Sequence, residues 1–408
     1  MSDALHPVTL APASHDDHAS APEPKTPHLN LSAHRRVGWL ELFYDLVYVA
    51  TIVQLSNKLA DDVSVGGFLT VLLLFVPIWW VWMGSTFYNS RFTADDLVHR
   101  GLVFGQIVTV SALAIAVYDG LGETSALFAI AYAIARLILV IMYWRTGRLA
   151  PEARDLSIRY AAGFALAAAI WLASAFVPPP LRFVLWIVGL ALDFGTPLSP
   201  GSIRLQNKLP PSGHHLPERL GLFTIIIFGE SFIKVIAAYA GQDIETEVAV
   251  IGLLGLVVVG GLWWIYNETI ATRGVQWGRL GVQAYIYAHL PMQFSLVLLA
   301  VGVYKLVTAH ADVLSDKYRL LICGAVALCL VSQGVIEFWS DRGNRSLDLV
   351  LRIGAGAIAL GVGFLGAGMS PLLVVIVLAV LVLVLAIVDL SDENLPVGTE
   401  PSGARIRQ

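Results

Sequence analysis

Residues 370–390 read SPLLVVIVLAVLVLVLAIVDL, a run whose only charge is Asp389. A helix crossing the hydrocarbon core of a bilayer needs about 20 consecutive, mainly apolar residues, and this stretch supplies them. Working back towards the N-terminus, comparable blocks fall at about 347–368, 319–340, 279–306, 247–270, 219–240, 181–197, 157–177, 122–144, 99–119, 65–88 and 38–60. The composition agrees. Of 408 residues, 57% are hydrophobic and 14% charged, with a mean hydropathy of +0.72, whereas soluble domains carry about one quarter charged residues. A soluble enzyme is excluded. The expected fold is all-α, a polytopic membrane protein with about 12 transmembrane helices.

The formal charge of −4 and pI of about 6.2 provide no basic field for nucleic acid. Cys323 and Cys329 lie in one apolar block without His or Asp at ligand spacing, so no disulfide, metal or other cofactor is expected. Residues 1–36, rich in Pro, His, Ser and Ala, read as a disordered cytoplasmic tail rather than a signal peptide. Residues 198–218 read as a cytoplasmic linker between two transmembrane units, 37–197 and 219–390, and 391–408 as a second cytoplasmic tail.

Lysine and arginine set the orientation, because cytoplasmic loops carry their excess. With an even number of crossings, Lys58, Arg182, Lys305, Lys317 and Arg319 fall on one side, while Arg136 and Lys234 lie inside spans. The rest, including Arg91, Arg219 and Arg352, fall on the other. Both termini are therefore expected in the cytoplasm of a bacterial inner-membrane protein. Trp79, Trp80, Trp82, Trp144, Trp263, Trp264 and Trp339 fall near cytoplasmic helix ends, as an interfacial aromatic belt does.

The two halves also resemble each other in order. Phe43-Tyr44-Asp45 aligns with Phe228-Gly229-Glu230, Trp79-Trp80 with Trp263-Trp264, Tyr143-Trp144 with Phe338-Trp339, and Leu192-Asp193 with Val388-Asp389. This predicts two parallel six-helix repeats, related by an axis along the membrane normal.

Two segments carry a family resemblance. Residues 39–49, WLELFYDLVYV, followed by Gln54-Leu55-Ser56, resemble the opening motif of the bacterial low temperature requirement protein A (LtrA) family, and residues 216–231, LPERLGLFTIIIFGES, resemble its other characteristic block. The resemblance implies that most of residues 35–390 belong to that family. It implies no substrate, cofactor or catalytic residue.

Function is therefore sought among charges at bilayer depth, each of which costs about 2.5–3.5 kcal/mol and so needs a partner or a cavity. Asp45 and Glu230 occupy matching repeat positions and are expected at similar depth, as facing carboxylates suited to proton or cation coupling. Lys234, one turn from Glu230, and Arg136, at a depth like that of Asp45, are their expected charge partners. His289, just before the kink-forming Pro291, is a candidate gate or relay, against the alternative of a packing histidine. Glu41, Glu218, Glu268 and Glu337, near helix ends, are secondary candidates, with capping, solvation or an interfacial place as the plainer readings. No nucleotide-binding or hydrolase motif is present. Partners are the lipid bilayer and a small solute or ion. The favoured function is a secondary transporter or permease-like protein. An intramembrane enzyme or lipid-handling factor needed in the cold, and a membrane sensor or scaffold, remain as alternatives.

Overall fold

In a computed structural model, residues 28–29, 37–94, 96–213, 215–240, 245–271, 281–309, 311–340 and 345–393 are described. Thirteen helices follow in order: α1 (Trp39–Asp61), α2 (Val65–Arg91), α3 (Leu97–Ala116), α4 (Ser125–Leu149), α5 (Arg154–Ser174), α6 (Leu181–Leu198), α7 (Pro200–Lys208), α8 (His215–Tyr239), α9 (Thr246–Tyr266), α10 (Gly281–Thr308), α11 (Asp316–Phe338), α12 (Arg345–Leu365) and α13 (Pro371–Glu393). A π-helical turn, Asn267–Ala271, extends α9. The one strand pairing among the described residues is a short antiparallel bridge of His28–Leu29 with Phe92–Thr93. Apart from that bridge and the end of α13, the two expected tails lie outside the described residues.

Local chemistry explains several helix starts. Ser64 caps α2 by accepting from the Gly67 N–H at 3.1 Å, and Asp96 caps α3 by accepting from the His99 N–H at 2.7 Å. The stretch expected as a linker holds the short helix α7, and α8 begins at His215, ahead of the sequence estimate.

Among the described residues, eleven helices are long and apolar enough to cross a membrane: α2–α6 and α8–α13. α1 is 23 residues long but carries Glu41, Asp45, Lys58 and Asp61. It lies beside α8 along its length. Side-chain bonds join Glu41 to His215, Asp45 to Arg219 and Ser56 to Glu230, each spanning 174 residues. A constant separation means that the two helices run parallel and in register, so α1 shares the depth of α8 and reads as a twelfth crossing. Its low hydropathy has a physical cause, since Glu41 and Asp45 are answered by a neighbouring helix rather than by water.

The outside of the bundle is as apolar as its core. Leu46, Phe104, Val108, Ile236, Val350, Ile358, Phe364 and Val384 are all more than half exposed, as a lipid-facing surface requires and a water-facing one disfavours. Inside, aromatic rings stack between helices. Trp80 stacks on Phe194 with centroids 4.0 Å apart, and Trp82 on Phe223 at 4.1 Å. Trp79, Trp80 and Trp82 are therefore core residues, which corrects their assignment to an interfacial belt. Trp144 and Trp264 do face outward. The small residues Ala355, Ala359 and Gly363 let α12 approach α11 closely, and a Cβ at Gly363 would meet the Cys323 side chain at 3.1 Å. Cys323 and Cys329 are free and buried.

Candidate functional site

The α1–α8 pair carries two polar clusters, one towards each end. At the end where both helices begin, Glu41 and Asp45 lie four residues apart on α1, and His215 and Arg219 four apart on α8. That spacing puts each pair on one helix face. Arg219 Nη2 donates to Asp45 Oδ1 at 2.6 Å and Nη1 to Glu41 Oε2 at 3.2 Å, while His215 Nε2 lies 2.9 Å from the same Glu41 oxygen. Trp82 Nε1 donates to Asp45 Oδ1 at 2.7 Å, and the Arg219 guanidinium sits 5.9 Å from the centroid of the Trp82 ring. Every member is buried. This end of the helix pair is shut.

The arrangement corrects two expectations. Arg219, taken as a charge of the cytoplasmic face, is buried and is the partner of Asp45. Arg136, expected in that role, instead pairs with Asp193 of α6 at 2.8 Å, and Tyr132 donates to the other Asp193 oxygen at 2.6 Å. Arg91, Arg319 and Arg352 are likewise buried rather than exposed on a face. Arg352 joins Glu337 at 2.6 Å and Asp389 at 3.3 Å, so Glu337 is a core ion-pair residue and not an interfacial one.

About 16 Å along α8 from Arg219, at the helical rise, lies Glu230. Ser56 donates to its Oε1, and its buried Oε2 has no hydrogen-bond partner. Lys234, one turn on, turns away from Glu230 and donates to Asn57 Oδ1 of α1. Beyond them opens a cavity of about 840 Å³, lined by Gln54, Asn57, Lys58 and Asp61 of α1, Lys234 and Ala237 of α8, and Tyr304 and Lys305 of α10. Asp62, Tyr118 and Asp119 also line it. Asp45 and Glu230 thus do not face each other at one depth: Asp45 sits about 9 Å into its helix and Glu230 about 22 Å into its own. The early start of α8 accounts for much of the difference.

The remaining candidates are separate. His289 is fully buried; its Nδ1 lies 2.7 Å from the Tyr285 carbonyl and its Nε2 3.3 Å from the Tyr266 hydroxyl. A carbonyl only accepts, so Nδ1 carries the hydrogen and Nε2 accepts from Tyr266. Both ring nitrogens are engaged, which is the packing arrangement. Glu218 is exposed in the first turn of α8, and Glu268 is half-buried on the π-helical turn. Glutamines bridge helices elsewhere: Gln293 accepts from Trp79 at 2.6 Å and donates to Thr224 at 2.8 Å, and Gln106 accepts from Ser85 at 2.9 Å. Among the described residues no group of three His, Cys, Asp or Glu side chains is placed to hold a metal ion.

Reading the sequence missed His215, Arg219, Trp82, Ser56 and Asn57 as site partners. The available signal was the paired four-residue spacing, Glu41/Asp45 against His215/Arg219, inside the two segments that carry the family resemblance.

An uncharacterized protein of Rhizobium meliloti (strain 1021) is 29% identical over 286 residues, covering 65% of this chain and 68% of the relative. Both helices of the clustered pair fall within a longer match, residues 36–387, to the family described as bacterial low temperature requirement A protein (LtrA). The chain, with its buried α1–α8 charge clusters, belongs to the LtrA family.

Proposed function

We propose that this chain is a secondary transporter of the bacterial cytoplasmic membrane, with Glu230 as its coupling carboxylate and Lys234 as the charged group beside it. One observation carries the reading. A polar cavity descends between α1, α8 and α10 to Lys234, next to a buried carboxylate with one unpartnered oxygen, while the other end of the same helix pair is closed by Asp45 and Arg219. A cavity that enters from one side and stops at Lys234, one turn from a buried acid, is the shape of one state in alternating access. Protonation of Glu230 from the cavity removes its attraction for the Lys234 ammonium and changes the polar contacts between α1 and α8. Asp45 and Arg219 act as the latch at the far end, and Arg136–Asp193 as a packing pair.

The same reading makes the molecule two parallel six-helix repeats with both termini cytoplasmic. The parallel course of α1 and α8, the first helices of the two units, supports it. Arg100, Arg148, Arg154, Arg204 and Lys208 lie exposed at the opposite end from the cavity mouth, which by the positive-inside rule makes that end cytoplasmic. The cavity then opens outward.

Proton uptake into proteoliposomes, driven by a potassium diffusion potential and read with an entrapped pH dye, tests the coupling. Native protein acidifies the lumen and Glu230→Gln abolishes the signal. Equal uptake by the native protein and Glu230→Gln overturns the assignment.

A further inference from the structure

We propose that the cavity binds a small zwitterion of the amino-acid type, its carboxylate between Lys234 and Lys305 and its ammonium beside Asp61 and Asp62. This names the solute of the transport reading and rests on it. Lys234 Nζ and Lys305 Nζ each lie 5.4 Å from the centroid of the same Tyr304 ring, so two ammonium groups flank one aromatic side chain in the cavity wall. The charges of Asp61 and Lys305 both act on Lys234, so acid and base stand close together in this wall. Lys234 spends one of its three N–H donors on Asn57. The Lys305 ammonium makes no hydrogen bond to protein among the described residues, its contacts being the rings of Tyr304 and Tyr318. Two like charges converging on a cavity repel, and a carboxylate between them relieves the repulsion while using the free donors.

Carboxylates line the same cavity. Asp61 and Asp62 belong to its wall and are exposed. A simple anion meets the carboxylates, and a simple cation meets the lysines. A molecule carrying both charges matches both sets, with selection working as much by repulsion of the wrong class as by attraction of the right one. The volume of about 840 Å³ lies in the range of small-molecule sites, and the Tyr304 ring offers an apolar wall to a side chain.

Calorimetric titration of the purified full-length protein in lipid nanodiscs tests this with L-alanine and L-leucine, each beside its deaminated acid and its decarboxylated amine. The expected result is binding of at least one amino acid, with its acid and its amine at least about tenfold weaker. Lys305→Gln and Asp61→Asn should each weaken that binding by about tenfold, the scale of one lost charged hydrogen bond. Absence of binding by both amino acids, equal binding of the matching acid or amine, or binding unchanged in both variants overturns the proposal. Proton uptake lost in Glu230→Gln liposomes alongside any of these results removes the zwitterion and keeps the transporter; binding as expected with uptake unchanged does the reverse.

Discussion

The two ends of the α1–α8 pair use similar chemistry to opposite effect. Where the helices begin, Glu41, Asp45, His215 and Arg219 face one another directly, with Trp82 donating into the cluster and the Phe223 ring stacked on Trp82. About 16 Å further on, Glu230 and Lys234 share one helix, and each turns to a neutral side chain of α1, Ser56 or Asn57. Opposite charges on facing helices pull those helices together and expel water. Opposite charges on one helix, answered by neutral amides and hydroxyls, leave room for a cavity. Placement rather than residue type separates a latch from a site.

The sharpest way to break the comparison is to remove half of the latch. Arg219→Met leaves Asp45 and Glu41 buried without their cation, a loss of about 3–5 kcal/mol; thermal unfolding in detergent, followed by tryptophan fluorescence, should show it as the largest single destabilisation of the set. The double variant Asp45→Leu with Arg219→Met should recover part of that loss, since the two residues act as one unit. An additive double variant would separate them. Trp82→Phe comes next. It keeps the stack on Phe223 but removes the N–H donated to Asp45, for about 1.5–3 kcal/mol, measured by the same unfolding experiment and with the cavity unaffected.

A smaller effect is expected at Asp96, outside the crossings on the latch side. Asp96→Ala removes the α3 cap and should cost about 1 kcal/mol. Partial burial pushes the Asp96 carboxyl upward, but the His99 N–H and the nearby Arg145 guanidinium outweigh it and hold the pKa below its usual value. A folded-state pKa below the unfolded one means the contribution is complete above the unfolded value of about 3.9 and is lost as pH falls through the lowered folded value. Unfolding midpoints of the native protein and Asp96→Ala should therefore differ at neutral pH and converge in acid below about pH 4.

The smallest effect on stability, and the most direct view of the contrast, comes from cysteine labelling. Asn57→Cys and Ala237→Cys in the cavity wall should react with a membrane-impermeant maleimide applied from outside intact cells, whereas Ser85→Cys, fully buried in the latch half, should not. The native Cys323 and Cys329 are buried and supply a silent background. Labelling of Ser85→Cys at the rate of Asn57→Cys would erase the distinction between the two ends.

Much of the fold was legible in the sequence. The apolar blocks became the long helices, because a membrane span must satisfy its backbone internally and present apolar side chains to lipid, requirements that composition records directly. Asp45, Glu230 and Lys234 were legible as charges at unusual depth. Their partners were not. Arg219 and Arg352 sit near the ends of apolar blocks, where an interfacial arginine and one folded inward have the same local sequence. His289 beside Pro291 suggested a relay, yet Tyr285 and Tyr266 occupy both its ring nitrogens.

Sequence by itself determined the class, the order of the spans and the family, since each rests on hydropathy or motifs read along the chain. Tertiary structure decided which charge meets which. Pairing depends on helix register and rotation: moving a helix by half a turn changes every partner while leaving the hydrophobic pattern almost untouched. The register of 174 between α1 and α8 set Asp45 against Arg219 rather than Arg136 or Glu230, shutting one end of the pair and leaving a cavity at the other.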